Sequence, residues 1–404
     1  MQTSIVDLYK NTPEGREAEI ILRACVHCGF CTATCPTYQL LGNELDSPRG
    51  RIDLIKKVLE GQTPTRRTQQ HLDRCLSCRA CETTCPSGVR YAHLADIGRG
   101  IIEGMVQRSL LERATRRGLR LVLPYPERFS VLLRLGQLFR PLLPAPLKQK
   151  VPPARAAGNW PQGAQKRSML VLEGCAQKAA TPNTNAATAR VLDRLGISLV
   201  REASAGCCGA VSYHLSAHDE GLDAMRRNID AWWPHLENGA EAIIITASGC
   251  GVMVKDYGEV LKNDPAYADK AARISSSARD IGEILAREDL APLQINGAGK
   301  RIAFQSPCSL QHGQKLAGVI ESILERLDFS LAPVADSHLC CGSAGTYSIL
   351  QSGISRQLLD NKLASLEQGE PELIATANIG CQLHLETKAN LPVKHWIELL
   401  DESM

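Results

Sequence analysis

Residues 25–36 read CVHCGFCTATCP and residues 75–86 read CLSCRACETTCP, and both obey one rule, Cys-x2-Cys-x2-Cys-x3-Cys-Pro. That spacing is the bacterial-type run for [4Fe–4S] clusters. Two-residue gaps let three thiolates take three corners of one cube. The fourth cannot reach round and serves the other cluster, and the proline turns the chain away. The expected sets are therefore Cys25, Cys28, Cys31 and Cys85 for one cluster, and Cys75, Cys78, Cys81 and Cys35 for the other. A pair of zinc sites would also use four cysteines each, but it has no use for the further x2 step or for Cys-Pro.

The chain has 404 residues and sixteen cysteines, eight within residues 25–85 and eight within residues 175–381. Its first twenty residues hold acids and no apolar run, so no export signal is expected, and the cysteines are expected as thiolate ligands rather than disulfides. With 44% hydrophobic and 22% charged residues the composition is that of a globular protein. A net charge of +3 and 4% aromatic residues argue against nucleic acid as a partner. No stretch approaches the ~20 apolar residues needed to span a bilayer.

Around the two runs the pattern is helical. Residues 16–25 and 66–75 lead into the cysteines. Residues 50–60 carry Ile52, Ile55, Val58 and Leu59 on one face, with Gly61 as a stop. The second half alternates apolar runs with helical patterns. Strands are expected at 168–173, 197–200, 242–246, 301–305, 331–334 and 373–376, and helices at 183–195, 218–236, 252–261 and 309–327. Alternation of this kind implies parallel sheets. The fold expected is α+β overall, with an N-terminal helical domain and two pseudo-symmetric α/β lobes. The boundaries expected are 1–100 for the helical cluster domain, 101–167 for a basic amphipathic segment and a linker, and 168–295 and 296–404 for the lobes. The linker, 141–167, holds six prolines.

The lobes are an internal repeat. Cys175 precedes the pair Cys207, Cys208 by 31 intervening residues, and Cys308 precedes Cys340, Cys341 by the same 31. Gly209 and Gly342 follow the pairs, and Cys250 and Cys381 close the units after 41 and 39 intervening residues. This pattern resembles the CCG domain of heterodisulfide reductases, lactate-utilisation proteins, and the iron–sulfur subunits of anaerobic glycerol-3-phosphate dehydrogenase and glycolate oxidase. In that family a final C-x-x-C completes the ligand set of an unusual iron–sulfur cluster. Here Ala247 and Asn378 stand three residues before the closing cysteines, and Met253 and His384 three after. Each repeat keeps four cysteines, Cys175, Cys207, Cys208 and Cys250 or Cys308, Cys340, Cys341 and Cys381. The resemblance makes these cofactor-binding candidates for one or two further iron–sulfur clusters, with buried structural thiols as the other reading.

The first half resembles the helical ferredoxin domains of fumarate and heterodisulfide reductases. With the segments SGCGVMVKDYG (248–258), DSHLCCGSAGTY (336–347) and TANIGCQ (376–382), the whole chain is similar to the family of glycolate oxidase iron–sulfur subunits. That resemblance implies an electron-transfer subunit with two [4Fe–4S] clusters and no catalytic residues of its own. FAD would sit on flavin-binding partner subunits that oxidise glycolate to glyoxylate, and also D-lactate. The place implied is cytoplasmic, peripheral on the inner membrane, with the membrane surface or a quinone as acceptor. The alternatives are a glycerol-3-phosphate dehydrogenase subunit, a catalytic subunit of heterodisulfide type, and a non-redox scaffold. The absence of G-x-G-x-x-G, Walker A, H-E-x-x-H and G-x-S-x-G runs agrees with substrate chemistry on a partner.

Three further features stand out. The run SPRGR (47–51) reads as a turn with solvated cations in preference to a docking site. His312, His338 and His384 read as satisfied histidines in preference to cluster-tuning groups. Residues 99–155 hold twelve Arg and Lys against three Glu, with apolar residues at helical spacing, which suits either an anionic membrane surface or an internal interface.

Overall fold

The structure, a computed structural model, describes residues 1–144 and 148–404. Residues 145–147 of the expected linker lie outside the described residues.

Four of its helices form the core of the first half. Pro13–Ala24 leads into Cys25, with Thr12 as its cap accepting the Gly15 N–H and Pro13 at the first position. Pro48–Leu59 starts two residues before the apolar periodicity, because Ser47 accepts the Gly50 N–H at 3.0 Å and Pro48 presets the first turn. Gly50 is required there, since a Cβ would fall 2.0 Å from the Glu44 carbonyl oxygen. Arg66–Asp73 leads into Cys75, and Tyr91–Met105 closes the bundle. Leu22, Ile55, Leu59, Leu72, Leu94 and Ile102 fill its core.

The second half holds two four-stranded parallel sheets of identical order. The first is β1 (Arg167–Val171), β2 (Ile197–Arg201), β3 (Ile243–Ile245) and β4 (Ala278–Asp280), ordered β2-β1-β3-β4. The second is β5 (Arg301–Gln305), β6 (Ser330–Leu331), β7 (Leu373–Thr376) and β8 (Val393–His395), ordered β6-β5-β7-β8. Leu170 pairs with Ile243 and Ile302 with Leu373, so the central strands are apolar and covered on both faces. The α+β architecture with two matched lobes is as expected.

Four local expectations need correction, the first being the helix expected at 252–261, which is two, Ser248–Lys255 and Tyr257–Val260. Strands β4 and β8 have no counterpart in the reading, because their centres are Arg279 and Lys394 rather than an apolar run. Residues 331–334 contribute only Leu331, in the two-residue β6. The helix expected at 309–327 is a π-turn at Ser309–Gly313 followed by Val319–Arg326, interrupted where Lys315 and Gly318 take left-handed backbone.

The lobes share one core, in which Met169, Ile197 and Leu199 meet Ile302, Ile320 and Trp396. Helix Asn183–Arg194 lies on helix Trp396–Ser403, tied by Arg190 Nε to Asp401 Oδ1 at 2.7 Å. The first half rests on the first lobe through Arg79–Asp256, Arg90–Glu259 at 2.7 Å, Lys262–Glu17 at 2.9 Å and His214–Asp96 at 3.1 Å. Residues 152–165 form no helix or strand but are pinned. Arg155 meets Glu386 at 2.7 Å, and the Arg201 guanidinium stacks on Trp160 at 3.6 Å. Among the described residues no helix is long and apolar enough to cross a membrane.

Candidate metal centre

Both cysteine runs fold alike. In the first, His27 and Gly29 take left-handed backbone, and in the second Ser77 and Arg79 do so at the matching positions. These reversals turn the loop between successive thiols, after which the short helices Phe30–Ala33 and Ala80–Thr84 carry the third cysteine. Pro36 then starts helix Pro36–Leu41, whose cap residue is Cys35.

The result is two neighbouring cavities. One is lined by Cys25, Cys28, Cys31 and Cys85, with Arg49 at its edge. The other is lined by Cys35, Cys75, Cys78 and Cys81, with Arg51 on its wall. Each cavity thus gathers three cysteines of one run with the last cysteine of the other, and the first also touches Cys81. Tyr91 and Cys81 line both. Among the described residues no three His, Cys, Asp or Glu side chains close on one point as a single ion requires. The cysteine spacing and the thiols that line the two cavities suit [4Fe–4S] clusters.

The electrostatics of the two cavities differ. Burial, and then the neighbouring thiols, push Cys31 up to about 11, and burial raises Cys78 and Cys81 well above the usual thiol range. Cys75 is lowered: burial opposes ionisation there, but Arg51 and Arg99 outweigh it. Arg51 is 1% exposed and donates to the His71 carbonyl at 2.7 Å and to Thr37 Oγ1 at 3.1 Å, with Asp46 at 3.6 Å. Arg99 donates to the Leu72 and Cys75 carbonyls. The SPRGR run therefore departs from the solvated-cation reading. Ser47 and Pro48 make a helix start as read, but Arg51 is a buried cation beside the second cavity. The sequence signal for it was its period, one turn before Ile55 on the buried face.

All sixteen cysteines are free thiols. In each lobe the four adjoin in series: Cys175, Cys207, Cys208 and Cys250, and likewise Cys308, Cys340, Cys341 and Cys381. Cys308 and Cys340 sulfurs lie 3.8 Å apart. Asn378, which stands in place of a cysteine, donates to Cys381 Sγ at 3.4 Å and accepts the Gly249 N–H at 3.3 Å, joining the two closing loops. Its counterpart Ala247 is buried.

His312 bonds Thr83 Oγ1 at 3.2 Å and the His338 carbonyl at 3.0 Å, and His384 bonds Ser355 Oγ at 3.1 Å. Burial lowers both imidazoles and keeps them neutral. Lys362, which carried no mark in the sequence, is 3% exposed and donates to the Asp336 and Ser337 carbonyls, each at 3.1 Å. Burial depresses its ammonium, and Cys341, Cys340, Cys308 and Cys381 oppose that.

Two family models match the chain: a 4Fe-4S dicluster domain over residues 21–89, and a cysteine-rich domain over residues 169–255 and again over 302–386. The chain is 58% identical to the glycolate oxidase iron-sulfur subunit of Escherichia coli (strain K12), across 100% of this chain and 99% of that one. It is 31% identical to a probable glycolate oxidase iron-sulfur subunit of Bacillus subtilis (strain 168), across 90% and 88%. It is 27% identical to lactate utilization protein A of Bacillus licheniformis, across 50% of this chain and 84% of that one. Among solved structures, a hypothetical protein from Helicobacter pylori superposes with a TM-score of 0.59 at 9% identity, covering 98% of this chain and 73% of that one, a likeness of fold alone.

Proposed function

The chain belongs to the family of glycolate oxidase iron–sulfur subunits, and we propose that it carries electrons from flavin-binding partner subunits toward a membrane acceptor. The partners would oxidise glycolate to glyoxylate, and D-lactate likewise, with FAD as their cofactor. The observation that carries this reading is the pair of adjacent cavities, each lined by cysteines drawn from both runs, with Cys85 in the first and Cys35 in the second. Cys25, Cys28, Cys31 and Cys85 would hold one [4Fe–4S] cluster, and Cys35, Cys75, Cys78 and Cys81 the other. A bound cluster supplies one-electron exchange, which suits a relay that takes up the two electrons of a hydroxy acid singly.

The protein's own part is positioning and electrostatics. The left-handed turns at His27, Gly29, Ser77 and Arg79 aim the thiols inward. Arg51 and Arg99 favour negative charge at the second cavity, whereas only the exposed edge of Arg49 reaches the first. Tyr91 fills the wall between them. The repeat cysteines are proposed as a further iron–sulfur site, so that the full chain should hold more than the about eight iron atoms of two [4Fe–4S] clusters. The exposed apolar residues of helices Leu110–Val122 and Pro126–Phe139 support docking of the complex on a membrane.

The test is anaerobic purification of the full chain with its partners. A flavin should co-purify, and glycolate should bleach the iron–sulfur absorbance only when the flavin-bearing subunits are present. Clusters that stay oxidised under glycolate in the flavin-containing complex would overturn the proposal.

A further inference from the structure

The two lobes share a sheet order and a cysteine pattern, yet they face the first half differently. In the second lobe, Cys308 and Cys340 pack with Leu76, Cys78, Tyr347 and Leu358 in one apolar cluster. Cys78 belongs to the second cavity of the first half, so that cavity and the second-lobe thiols are contiguous. Tyr347 donates to the Arg74 carbonyl at 3.0 Å and His312 meets Thr83 at 3.2 Å, clamping the junction on both sides. The first lobe meets the same half through ion pairs and through His214 and His218, none of them a cysteine.

The lobes also differ in the charge set beside their thiols. Gly209 lies against Gly221 and Ala224, and Gly342 against Ser355 and Leu358, which places Lys362 in register with Asn228. Asn228 is neutral and fully buried, donating to the Cys207 carbonyl at 2.9 Å and the Tyr257 hydroxyl at 3.0 Å. Lys362 is buried with no carboxylate partner among the described residues, held by the Asp336 and Ser337 carbonyls, four and three residues before Cys340. A buried cation without a counter-charge is costly. Negative charge on the four cysteines is the counter-charge this site offers.

We propose that Cys308, Cys340, Cys341 and Cys381 form a negatively charged iron–sulfur site continuous with the Cys35, Cys75, Cys78 and Cys81 site, that Lys362 is its positioning residue, and that the first-lobe cysteines have no such coupling. The inference rests on the reading of the chain as an iron–sulfur relay. Replacing Lys362 by an uncharged side chain removes the attraction that favours the reduced, more negative state. The conservative Lys362→Arg keeps the charge.

The test uses the full chain, purified anaerobically, with iron analysis and a redox titration followed by electron paramagnetic resonance. Lys362→Met should shift one midpoint to lower potential, cutting the reduced-to-oxidised ratio at the wild-type midpoint about tenfold, which is about 59 mV for one electron. Lys362→Arg should restore it. Unchanged midpoints and iron in Lys362→Met would overturn the role of Lys362. Should that variant fail to fold, Cys340→Ala and Cys207→Ala decide the coupling. Cys340→Ala should remove the magnetic interaction with the Cys78 site, and Cys207→Ala should leave it. The opposite result would overturn this inference while leaving the relay intact. Wild-type iron no higher than two clusters require would instead overturn the reading of the repeats as cluster sites.

Discussion

At the scale of single residues, two buried charges set testable energetics. Arg51 donates to Thr37 and the His71 carbonyl beside Asp46, which keeps Arg74 at 2.9 Å as its counter-charge, so Arg51→Met leaves two buried acceptors short of a donor. A buried polar group left unmet costs about 1–3 kcal/mol. The expected outcome is a drop of that order in unfolding free energy together with loss of iron from the Cys75 site, measured by denaturant titration and iron analysis. A variant as stable and as iron-rich as the parent would show that Arg51 is dispensable. Asp280 caps helix Ile281–Leu285 through the Gly282 N–H at 2.9 Å, yet its Oδ2 is buried without a partner. Burial, against the pull of that N–H and of Lys255, lifts its carboxyl from 3.8 to about 7. The folded chain therefore binds this proton more tightly than the unfolded one. The stabilisation is full below about pH 4 and is lost as pH rises through about 7, a change on the order of 4 kcal/mol. Unfolding at pH 5 and pH 8 should show a smaller difference for Asp280→Asn than for the parent. An equal difference would assign the slope to other groups.

At the scale of elements, helices Leu110–Val122 and Pro126–Phe139 carry the membrane question. Part of the basic excess is consumed internally: Arg108 and Arg116 meet Asp73, Arg120 meets Glu220 and Arg155 meets Glu386. Arg113, Arg117 and Arg134 have no carboxylate partner among the described residues and lie beside exposed Leu110, Leu111, Val131 and Leu138. Each cation near an anionic surface contributes about 1 kcal/mol. The complex should float with anionic vesicles at low salt and less so at high salt, and Arg134→Glu with Leu138→Glu should reduce flotation. No flotation, and no effect of the two substitutions, would make this face a subunit interface. The same scale shows what was legible. The cysteine spacing located both runs, and the period of Ile52, Ile55 and Val58 located a helix, because ligation and burial each repeat at fixed intervals. The three-residue strands β4 and β8 were not legible, since a strand centred on Arg279 or Lys394 has no apolar run. Nor was the break at Lys315, because a left-handed lysine has no marker in composition. Lys362 has no marker in the sequence, because a lysine inside an amphipathic helix reads as a solvated one.

At the scale of the whole molecule, the cysteines sort into two cavities in the first half and two thiol series in the lobes, with one series contiguous with a cavity. The central claim is that each run lends its last cysteine to the other run's cluster. The most direct measurement is electron paramagnetic resonance of the anaerobically purified full chain, comparing Cys85→Ser with Cys28→Ser and Cys78→Ser. Crossed ligation predicts that Cys85→Ser loses or alters the same signal as Cys28→Ser and spares the one affected by Cys78→Ser. A Cys85→Ser spectrum that matches Cys78→Ser would contradict the account.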